Sequence, residues 1–203
     1  MPLLLLDPEE AQSWLDAQNE IEPRFTECWE GVTVVPPLAN NPHQRFVMRI
    51  AEAFSSAIDW DVGECSLPGA NLSDRGDGWE HNYRCPDVLV YLRGNPAIEH
   101  VTHWEGGPDF IVEILSNGED PDAKFDFYAS IGTREVLIVD RKPWALELFR
   151  LKRGKLVSVG RSELPGSTLL KSSALPFTFQ LLPAKPRPRI EMIHTATGQI
   201  WKA

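Results

Sequence analysis

Residues 107–128 form the sequence GPDFIVEILSNGEDPDAKFDFY. Its first part, 109–115, is a nearly continuous apolar run of strand length, which predicts a central strand that is covered on both faces. Glu113 interrupts this run with a carboxylate, and burial of a carboxylate without a partner is costly. The stretch therefore predicts a buried strand whose Glu113 binds another group of the fold.

The second part of the stretch predicts a helix with clearly marked ends. Asp120 stands at the N-cap position, Pro121 at the first helical position, and Gly132 where a left-handed residue commonly follows the last turn. At about 100° per residue, one face of this helix contains Lys124, Phe127, Tyr128 and Ile131. Because that face must pack on the sheet, the helix brings Lys124 to the end of the strand that contains Glu113.

A second apolar run, PDVLVYL (86–92), predicts a neighbouring strand. If the two strands pair antiparallel across the intervening loop, the start of the first lies beside the end of the second. Asp87 then comes near Glu113, whereas Asp109 lies four residues, or ~13 Å, from Glu113 along its own strand. We therefore pair Asp87 with Glu113 and interpret Asp109 as a strand-entry or turn residue.

The other predicted elements surround these two strands. Further strands are expected at 135–140, 145–151 and 155–160. A helix at 42–58 should cover one face of the sheet, and a hairpin that turns at Glu30 and Gly31 precedes it. The order strand, strand, helix, strand, strand predicts an α+β fold with a mixed sheet.

The composition is that of a folded globular protein, since 42% of the 203 residues are hydrophobic and 24% are charged. No apolar run approaches the ~20 residues of a transmembrane helix, and the opening MPLLLLDPEE lacks the basic residues of a signal peptide. The three cysteines are odd in number and lack zinc-type spacing, which suits a reducing compartment. We therefore expect a cytoplasmic protein that does not enter a membrane.

The net charge of −9 disfavours a protein that coats nucleic acid with a broad basic surface. It does not exclude an enzyme that engages phosphates through a metal ion and a local basic patch. Lysine and arginine gather late in the chain, in RLKRGK (150–155) and AKPRPR (184–189). A solvated face or tail is the simpler interpretation of each cluster.

Two interpretations of Asp87, Glu113 and Lys124 stay open from their spacing alone. Two carboxylates in an apolar setting need a proton, a cation or a lysine between them. With Mg²⁺ or Mn²⁺ the set suits phosphodiester hydrolysis, because the metal activates a water and an ammonium stabilises phosphate charge. Alternatively, Asp87 caps its strand and Glu113 forms a structural ion pair with Lys124.

Three segments together resemble one protein family: RCPDVLVY (84–91), GGPDFIVEILS (106–116) and DPDAKFDFYASIGTREVLIVD (120–140). They look like the Pro-Asp strand, the acidic strand and the lysine-bearing helix of the Uma-two family, a group of restriction-endonuclease-like proteins in the PD-(D/E)XK nuclease superfamily. ECWEGVTVVPPLANNPHQRF (27–46) is similar to the family's N-terminal hairpin and to the His-Gln that opens its first core helix. The resemblance covers 26–151.

The resemblance implies a restriction-endonuclease-like core, in which a first helix precedes a mixed central sheet of about four strands flanked by helices. A crossover helix lies between the last two strands, and an N-terminal hairpin and added C-terminal strands complete the fold. Asp87 matches the Asp of the Pro-Asp motif and Glu113 the second acidic position, which implies that both bind Mg²⁺ or Mn²⁺. The superfamily's usual lysine would fall at Leu115. In the Uma-two pattern the lysine comes from the helix, where Lys124 completes the implied catalytic set.

Three more residues are candidates for the same site. Glu27 matches an acidic position of the family's first hairpin and could be a third metal carboxylate or a solvated hairpin residue. His43 could contact phosphate or act as a polar residue of the helix start or the core. Ser116 could hold a phosphate or cap the loop after Glu113. Tyr128 is most simply a packing residue.

The sequence divides into an N-terminal helical extension (1–24), a restriction-endonuclease-like domain (25–182) and a Pro-rich basic C-terminal tail (183–203). In the tail, IEMIH (190–194) and QIW (199–201) could add a strand or dock on a neighbouring subunit. The predicted function is that of a metal-dependent endonuclease that hydrolyses DNA phosphodiester bonds. The alternative is a catalytically inactive nuclease-fold protein that acts as a binding or regulatory partner. A homodimer is expected, because cutting both strands of a duplex suits two-fold symmetry.

Overall fold

The computed structural model describes the backbone of 4–6 and the residues 26–36, 39–116 and 120–203. Apart from the strand at 4–6, the predicted N-terminal helical extension (1–24) lies outside the described residues. The described helices are α1 (Asn41–Ser55) and α2 (Phe125–Ser130). No helix of this described part has the length and apolarity to span a membrane.

The described chain contains far more strand than helix. The strands are β1 (Leu4–Leu6), β2 (Glu27–Trp29), β3 (Val32–Val35), β4 (Cys65–Pro68), β5 (Leu72–Ser73), β6 (Tyr83–Arg84), β7 (Val88–Tyr91), β8 (Ile98–Glu99), β9 (Trp104–Glu105), β10 (Phe110–Ile114), β11 (Glu135–Arg141), β12 (Trp144–Lys152), β13 (Lys155–Glu163), β14 (Leu170–Lys171), β15 (Phe177–Leu182), β16 (Arg189–His194) and β17 (Ile200–Lys202). They form three sheets, and the fold is a mixed α+β architecture, as the sequence predicts.

The central sheet has six strands in the order β13-β12-β11-β10-β7-β4. β10 is antiparallel to β7 and parallel to β11, and α2 lies in the connection that crosses from β10 to β11. The predicted pairing of 86–92 with 109–115 as antiparallel neighbours is therefore confirmed. The sheet is wider than the expected four strands, because β4 pairs with the free edge of β7 and β13 pairs beyond β12.

Side chains of the central strands alternate between the two faces of the sheet, as the two-residue period of a strand requires. The face toward α1 and the C-terminal strands contains Val88, Val90, Phe110, Val112 and Ile114. The face toward α2 contains Leu89, Tyr91, Ile111 and Leu115. Because both faces are covered, β7 and β10 have the near-continuous apolar sequences from which they were predicted.

α1 begins where the sequence supplies an N-cap. The side chain of Asn40 accepts a hydrogen bond from the backbone N–H of His43 at 3.0 Å, and Pro42 lies in the first turn. The fully buried positions of α1 recur at helical spacing and include Phe46, Ile50 and Phe54. The helix ends at Ser55, three residues before the predicted end at Ile58.

The predicted helix after β10 consists of two parts. Pro121–Lys124 form a 3₁₀ turn, and α2 continues directly from it. Asp120 is the predicted cap, since its carboxylate accepts a hydrogen bond from the backbone N–H of Asp122 at 3.0 Å. Gly132 has the expected left-handed backbone, with a φ of 86°. The first turn is tighter than predicted, which is a common departure at helix N-termini, where few α-type hydrogen bonds are available.

The N-terminal sheet has the strand order β1-β3-β2-β6-β5-β9-β8 in the described part of the chain. β2 and β3 form the predicted hairpin. Glu30 and Gly31 have φ values of 51° and 88°, the positive values that a tight two-residue hairpin turn requires. This hairpin places Glu27 of β2 beside the central sheet, where its side chain is buried.

The C-terminal segment 183–203, a Pro-rich basic tail in the sequence, packs against the folded body. β14, β15, β16 and β17 form a four-stranded antiparallel sheet. Ile190 and Met192 of β16 are 0% and 1% exposed, and they pack in the same core cluster as α1. IEMIH thus belongs to a strand, β16, whose alternate apolar residues face the core. An added strand was one of the two alternatives that the sequence left open for this segment.

Ile190→Ala is expected to lower the free energy of unfolding by ~2–5 kcal/mol, because it leaves a cavity in this shared core. Ile200→Ala in β17 is the matched control, since Ile200 is 53% exposed and its loss should cost less than about 0.5 kcal/mol. Urea unfolding followed by tryptophan fluorescence measures both variants. Equal unfolding midpoints for the two variants would show that β16 lies outside the cooperative core.

Candidate active site

One cleft contains all six residues that the sequence assigns to a functional site. Its volume is about 240 Å³, and it opens between α1, the start of β7, the end of β10 and the turn before α2. The six residues on its walls are Glu27, His43, Asp87, Glu113, Ser116 and Lys124. The structure therefore brings together side chains from four separate stretches of the sequence.

The ammonium of Lys124 joins two of the carboxylates. Its Nζ donates to Oε1 of Glu27 at 2.9 Å and to Oε1 of Glu113 at 3.1 Å. The side chain of Lys124 is 14% exposed, and those of Glu27 and Glu113 are 4% and 9% exposed. The lysine thus lies on the sheet side of its helix, as the helical wheel predicts, and it provides the positive charge that the buried carboxylates need.

Tyr128 gives Glu113 a second donor. Its hydroxyl donates a hydrogen bond to the same Oε1 that Lys124 contacts. Burial raises the pKa of Tyr128 well above its usual value, and the charge of Glu113 raises it further, so the phenol stays protonated and donates. The sequence assigned Tyr128 to packing only. Two features of the sequence could have indicated this hydrogen bond. Tyr128 follows Lys124 by one helical turn, and a buried phenol needs a hydrogen-bond partner.

Asp87 precedes β7 and lies beside the end of β10. The register pairs Val88 with Val112, and Oδ2 of Asp87 accepts a hydrogen bond from the backbone N–H of Ile114 at 2.7 Å. Oδ1 of Asp87 lies 2.7 Å from Nε2 of His43, which donates because an ionised carboxylate can only accept. His43 itself is buried in the first turn of α1. α1 therefore holds the carboxylate of Asp87 in place through His43.

Glu27 is a buried residue with three donors. Besides Lys124, it accepts hydrogen bonds from the backbone N–H of Cys85 at 2.9 Å and from the indole N–H of Trp29 at 2.8 Å. The alternative of a solvated hairpin residue is therefore wrong. Both carboxylate oxygens are engaged, so the structure favours an anchor for Lys124 over a third metal ligand.

Ser116 lies on the wall of the cleft, two residues after the end of β10. The loop that follows it, 117–119, lies outside the described residues. Its two proposed roles, a loop cap and a phosphate contact, both stay predictions.

Cys85 also lines the cleft, and the sequence did not assign it a role. Burial raises the pKa of its thiol to about 12, and the negative charge of Glu27 contributes to the shift. A thiol with this pKa is protonated at neutral pH and is therefore a poor nucleophile.

The donor chemistry of the cleft fits a hard divalent cation. Asp87 and Glu113 supply carboxylate oxygens, the ligands that Mg²⁺ and Mn²⁺ prefer. The cleft contains three carboxylates, those of Glu27, Asp87 and Glu113, and one ammonium, that of Lys124. It therefore has an excess of two negative charges when His43 is neutral. Among the described residues, no group of three or more His, Cys, Asp or Glu side chains forms a metal site. An ion would thus bind two carboxylates and complete its shell with water and substrate oxygens, which is common for Mg²⁺.

This mixed sheet, its crossover helix and its covering helix α1 define a restriction-endonuclease-like protein. The chain belongs to the Uma2 (Uma-two) family, whose model is described as "Putative restriction endonuclease" and matches residues 8–185. The family predicted from the motifs is thereby confirmed.

A crystal structure described as a "putative nuclease belonging to DUF820" from Anabaena variabilis has a similar fold. The TM-score is 0.58 and the sequence identity is 14%, over 83% of this chain and 90% of that one. At this identity the similarity concerns the fold alone. No curated protein matches the chain in sequence.

Lys124→Ala is expected to lower the free energy of unfolding by ~3–5 kcal/mol near pH 8 in EDTA, because Glu27 and Glu113 would stay buried without their shared ammonium. Burial without a cation disfavours the charged form of a carboxyl. A carboxyl with a raised pKa destabilises the fold where it is ionised, so the loss should shrink as the pH falls toward about 5.

Urea unfolding at several pH values measures this effect, with the wild type as the reference at each pH. Lys155→Ala is the matched control, because Lys155 is an exposed lysine of β13. A loss of stability that does not change with pH would contradict the charge argument.

Proposed function

We propose that the chain is a metal-dependent endonuclease that hydrolyses DNA phosphodiester bonds. The observation that supports this most directly is the position of Lys124, whose ammonium contacts Glu113 in the same cleft as Asp87. A purely structural ion pair requires no open cavity, whereas here the excess negative charge of the cleft is suited to a cation. The family model, whose description is "Putative restriction endonuclease", supports the same proposal.

Asp87 and Glu113 would hold Mg²⁺ or Mn²⁺. When bound, the ion would lower the pKa of a water molecule and stabilise negative charge on the phosphate. Asp87 would be oriented for this task by the Ile114 backbone N–H and by His43, since hydrogen-bonded partners commonly fix the position of metal-binding side chains. Tyr128 would orient Glu113 in the same way.

Lys124 would stabilise the charge that develops on the phosphate or orient the attacking water. Glu27 would act as its positioning residue, because a lysine has a long flexible stem and Glu27 holds the ammonium from β2 of the N-terminal sheet. Ser116 would contact a phosphate oxygen from the end of β10. These roles use side chains that line one cleft.

One observation favours a second function, that of a catalytically inactive nuclease-fold protein that acts as a binding or regulatory partner. Leu115 stands where the superfamily's usual lysine would be, and it is buried in the apolar cluster beneath α2. The ammonium of the site therefore comes from another element. Cleavage assays distinguish the two functions.

Purified protein is expected to cleave supercoiled plasmid and duplex oligonucleotides with Mg²⁺ or Mn²⁺ but not in EDTA. Asp87→Asn and Lys124→Ala should each lower the single-turnover rate by on the order of 10²-fold or more, because the first removes a metal-binding charge and the second removes the ammonium. Gel-based cleavage assays measure these rates.

Asp126→Asn and Lys155→Ala are matched controls, since both side chains are exposed and lie outside the cleft. Circular dichroism verifies that each variant is folded at the assay temperature. Asp87→Asn tests the site without removing the ammonium that stabilises the fold. Equal cleavage by the wild type and Asp87→Asn would indicate contamination and would favour the inactive alternative.

We also propose a homodimer in the cytoplasm. Two-fold symmetry suits the cutting of both strands of a duplex, and the three cysteines are free, as is usual in a reducing compartment. Sedimentation at the concentrations used for cleavage should give about twice the mass of one chain. A monomer that produces double-strand breaks at the same concentrations would overturn the dimer.

A further inference from the structure

A broad groove of about 800 Å³ lies next to the cleft of the candidate active site. Its walls come from the exposed side of α1 and from the C-terminal strands β16 and β17. We name it the basic groove after its five cationic side chains, which are Arg45, Arg49, Arg187, Arg189 and Lys202. Gln44 and Met48 of α1 line both the basic groove and the cleft, so the two surfaces are continuous.

Two of these cations, Arg45 and Arg189, lie close enough to Arg187 to repel it. Burial lowers the pKa of Arg187, and the neighbouring charges of Arg189 and Arg45 lower it further. The guanidinium of Arg187 also lies 4.2 Å from the ring centre of Phe46, which fixes it against α1. Placing like charges together costs free energy, and an anion in the groove would offset that cost.

The carboxylates near the groove neutralise only part of this charge. Arg49 pairs with Glu52 at 3.1 Å, and Lys202 pairs with Glu191 at 3.4 Å. Within 26–36, 39–116 and 120–203, no carboxylate forms an ion pair with the remaining three cations, Arg45, Arg187 and Arg189. The groove is thus locally positive on a chain whose net charge is −9.

The shape of α1 suits an extended polyanion. The residues of α1 that line the groove recur at helical spacing from Asn41 to Arg49 and form one exposed stripe. This stripe is ~12 Å long along the helix axis. One strand of DNA presents about three or four phosphates over that length. An acidic peptide would also be attracted, but only a nucleic acid offers a reason for the groove to continue into a phosphodiesterase cleft.

Three of the five cations of the groove lie beyond the part of the chain that matches the family. The family model ends at residue 185, whereas Arg187, Arg189 and Lys202 follow it. Family membership therefore does not account for these cations. The C-terminal segment adds them to the core, and Arg187, Arg189 and Lys202 line the groove together with the exposed side of α1.

We infer that the basic groove binds the phosphate backbone of the DNA that enters the candidate active site. The inference deepens the proposed function and rests on it. The C-terminal strands would thus hold the substrate through charge, while the cleft beside them performs hydrolysis. Because phosphate contacts are independent of base identity, the groove would contribute affinity and orientation without sequence preference.

Binding is measured by fluorescence anisotropy with a labelled duplex of random sequence in EDTA, so that cleavage does not occur. The variant Arg45→Ala/Arg187→Ala/Arg189→Ala should weaken binding by on the order of 10²-fold at moderate salt. It should also reduce the slope of log K against log salt by about 2 to 3, since each lost phosphate contact removes about 0.9. Arg45→Ala/Arg189→Ala, which leaves the packed Arg187 in place, should reduce the slope by about 2.

The control Arg93→Ala/Lys155→Ala/Lys171→Ala removes the same number of positive charges from exposed positions elsewhere. A general effect of net charge would weaken binding equally in both triple variants and would overturn the inference. Stronger binding of an acidic polypeptide than of DNA, or of RNA than of DNA, would also overturn it. If circular dichroism shows that the triple variant is unfolded, the test uses the double variant Arg45→Ala/Arg189→Ala, and Lys155→Ala/Lys171→Ala is its control.

The two proposals fail in different ways. Loss of cleavage in Asp87→Asn together with unchanged binding in the groove variants would support the nuclease and overturn the groove. Salt-dependent binding that the groove variants lose, in a wild type that cleaves no DNA, would overturn the nuclease and support a DNA-binding groove.

Discussion

The ammonium of Lys124 lies between two buried carboxylates that come from different layers of the molecule. Glu27 belongs to β2 in the N-terminal sheet, Glu113 to β10 in the central sheet, and Lys124 to the turn before α2. Burial of either carboxylate in its charged form would be costly without a cation at this distance. A single charge therefore links the hairpin, the sheet and the crossover, so the contact that stabilises their packing also forms the wall of the cleft.

A buried carboxylate lies at each end of β10, and the two differ in their surroundings. One is enclosed by hydrogen-bond donors, and the other lies in the candidate active site. Before the strand, Asp109 accepts hydrogen bonds from the backbone N–H of Leu92, from Asn95 and from Arg134 at 2.7 to 2.9 Å. These donors close the strand entry, and Asp109 does not line the cleft. At the other end, Glu113 faces a cavity and shares it with Asp87. Asp109 and Glu113 thus have similar burial but different surroundings, and only Glu113 lines the cleft.

The sequence predicted the parts of the site that depend on strong local patterns. Apolar runs of strand length identified β7 and β10, and their antiparallel pairing placed Asp87 at Glu113. The burial of Glu27 was not predictable, because a three-residue strand has too few positions to show which of its faces is buried. The bond from Tyr128 to Glu113 and the docking of 183–203 depend on contacts between distant segments, which periodicity does not encode.

Leu115 stands where the superfamily's usual lysine would be, yet the fold still places a positive charge beside Glu113. In a strand, the residue two positions after Glu113 points to the same face, so a lysine at 115 would reach the carboxylate from the strand itself. Here that position packs in the apolar cluster beneath α2, and its carbonyl accepts hydrogen bonds from Arg141 at 3.0 and 3.2 Å. The ammonium arrives from the helix instead. Electrostatic stabilisation depends on where a charge lies and not on which element supplies it. A helix-borne lysine has a longer path to the site, which gives a physical reason for the second carboxylate, Glu27, that holds it there.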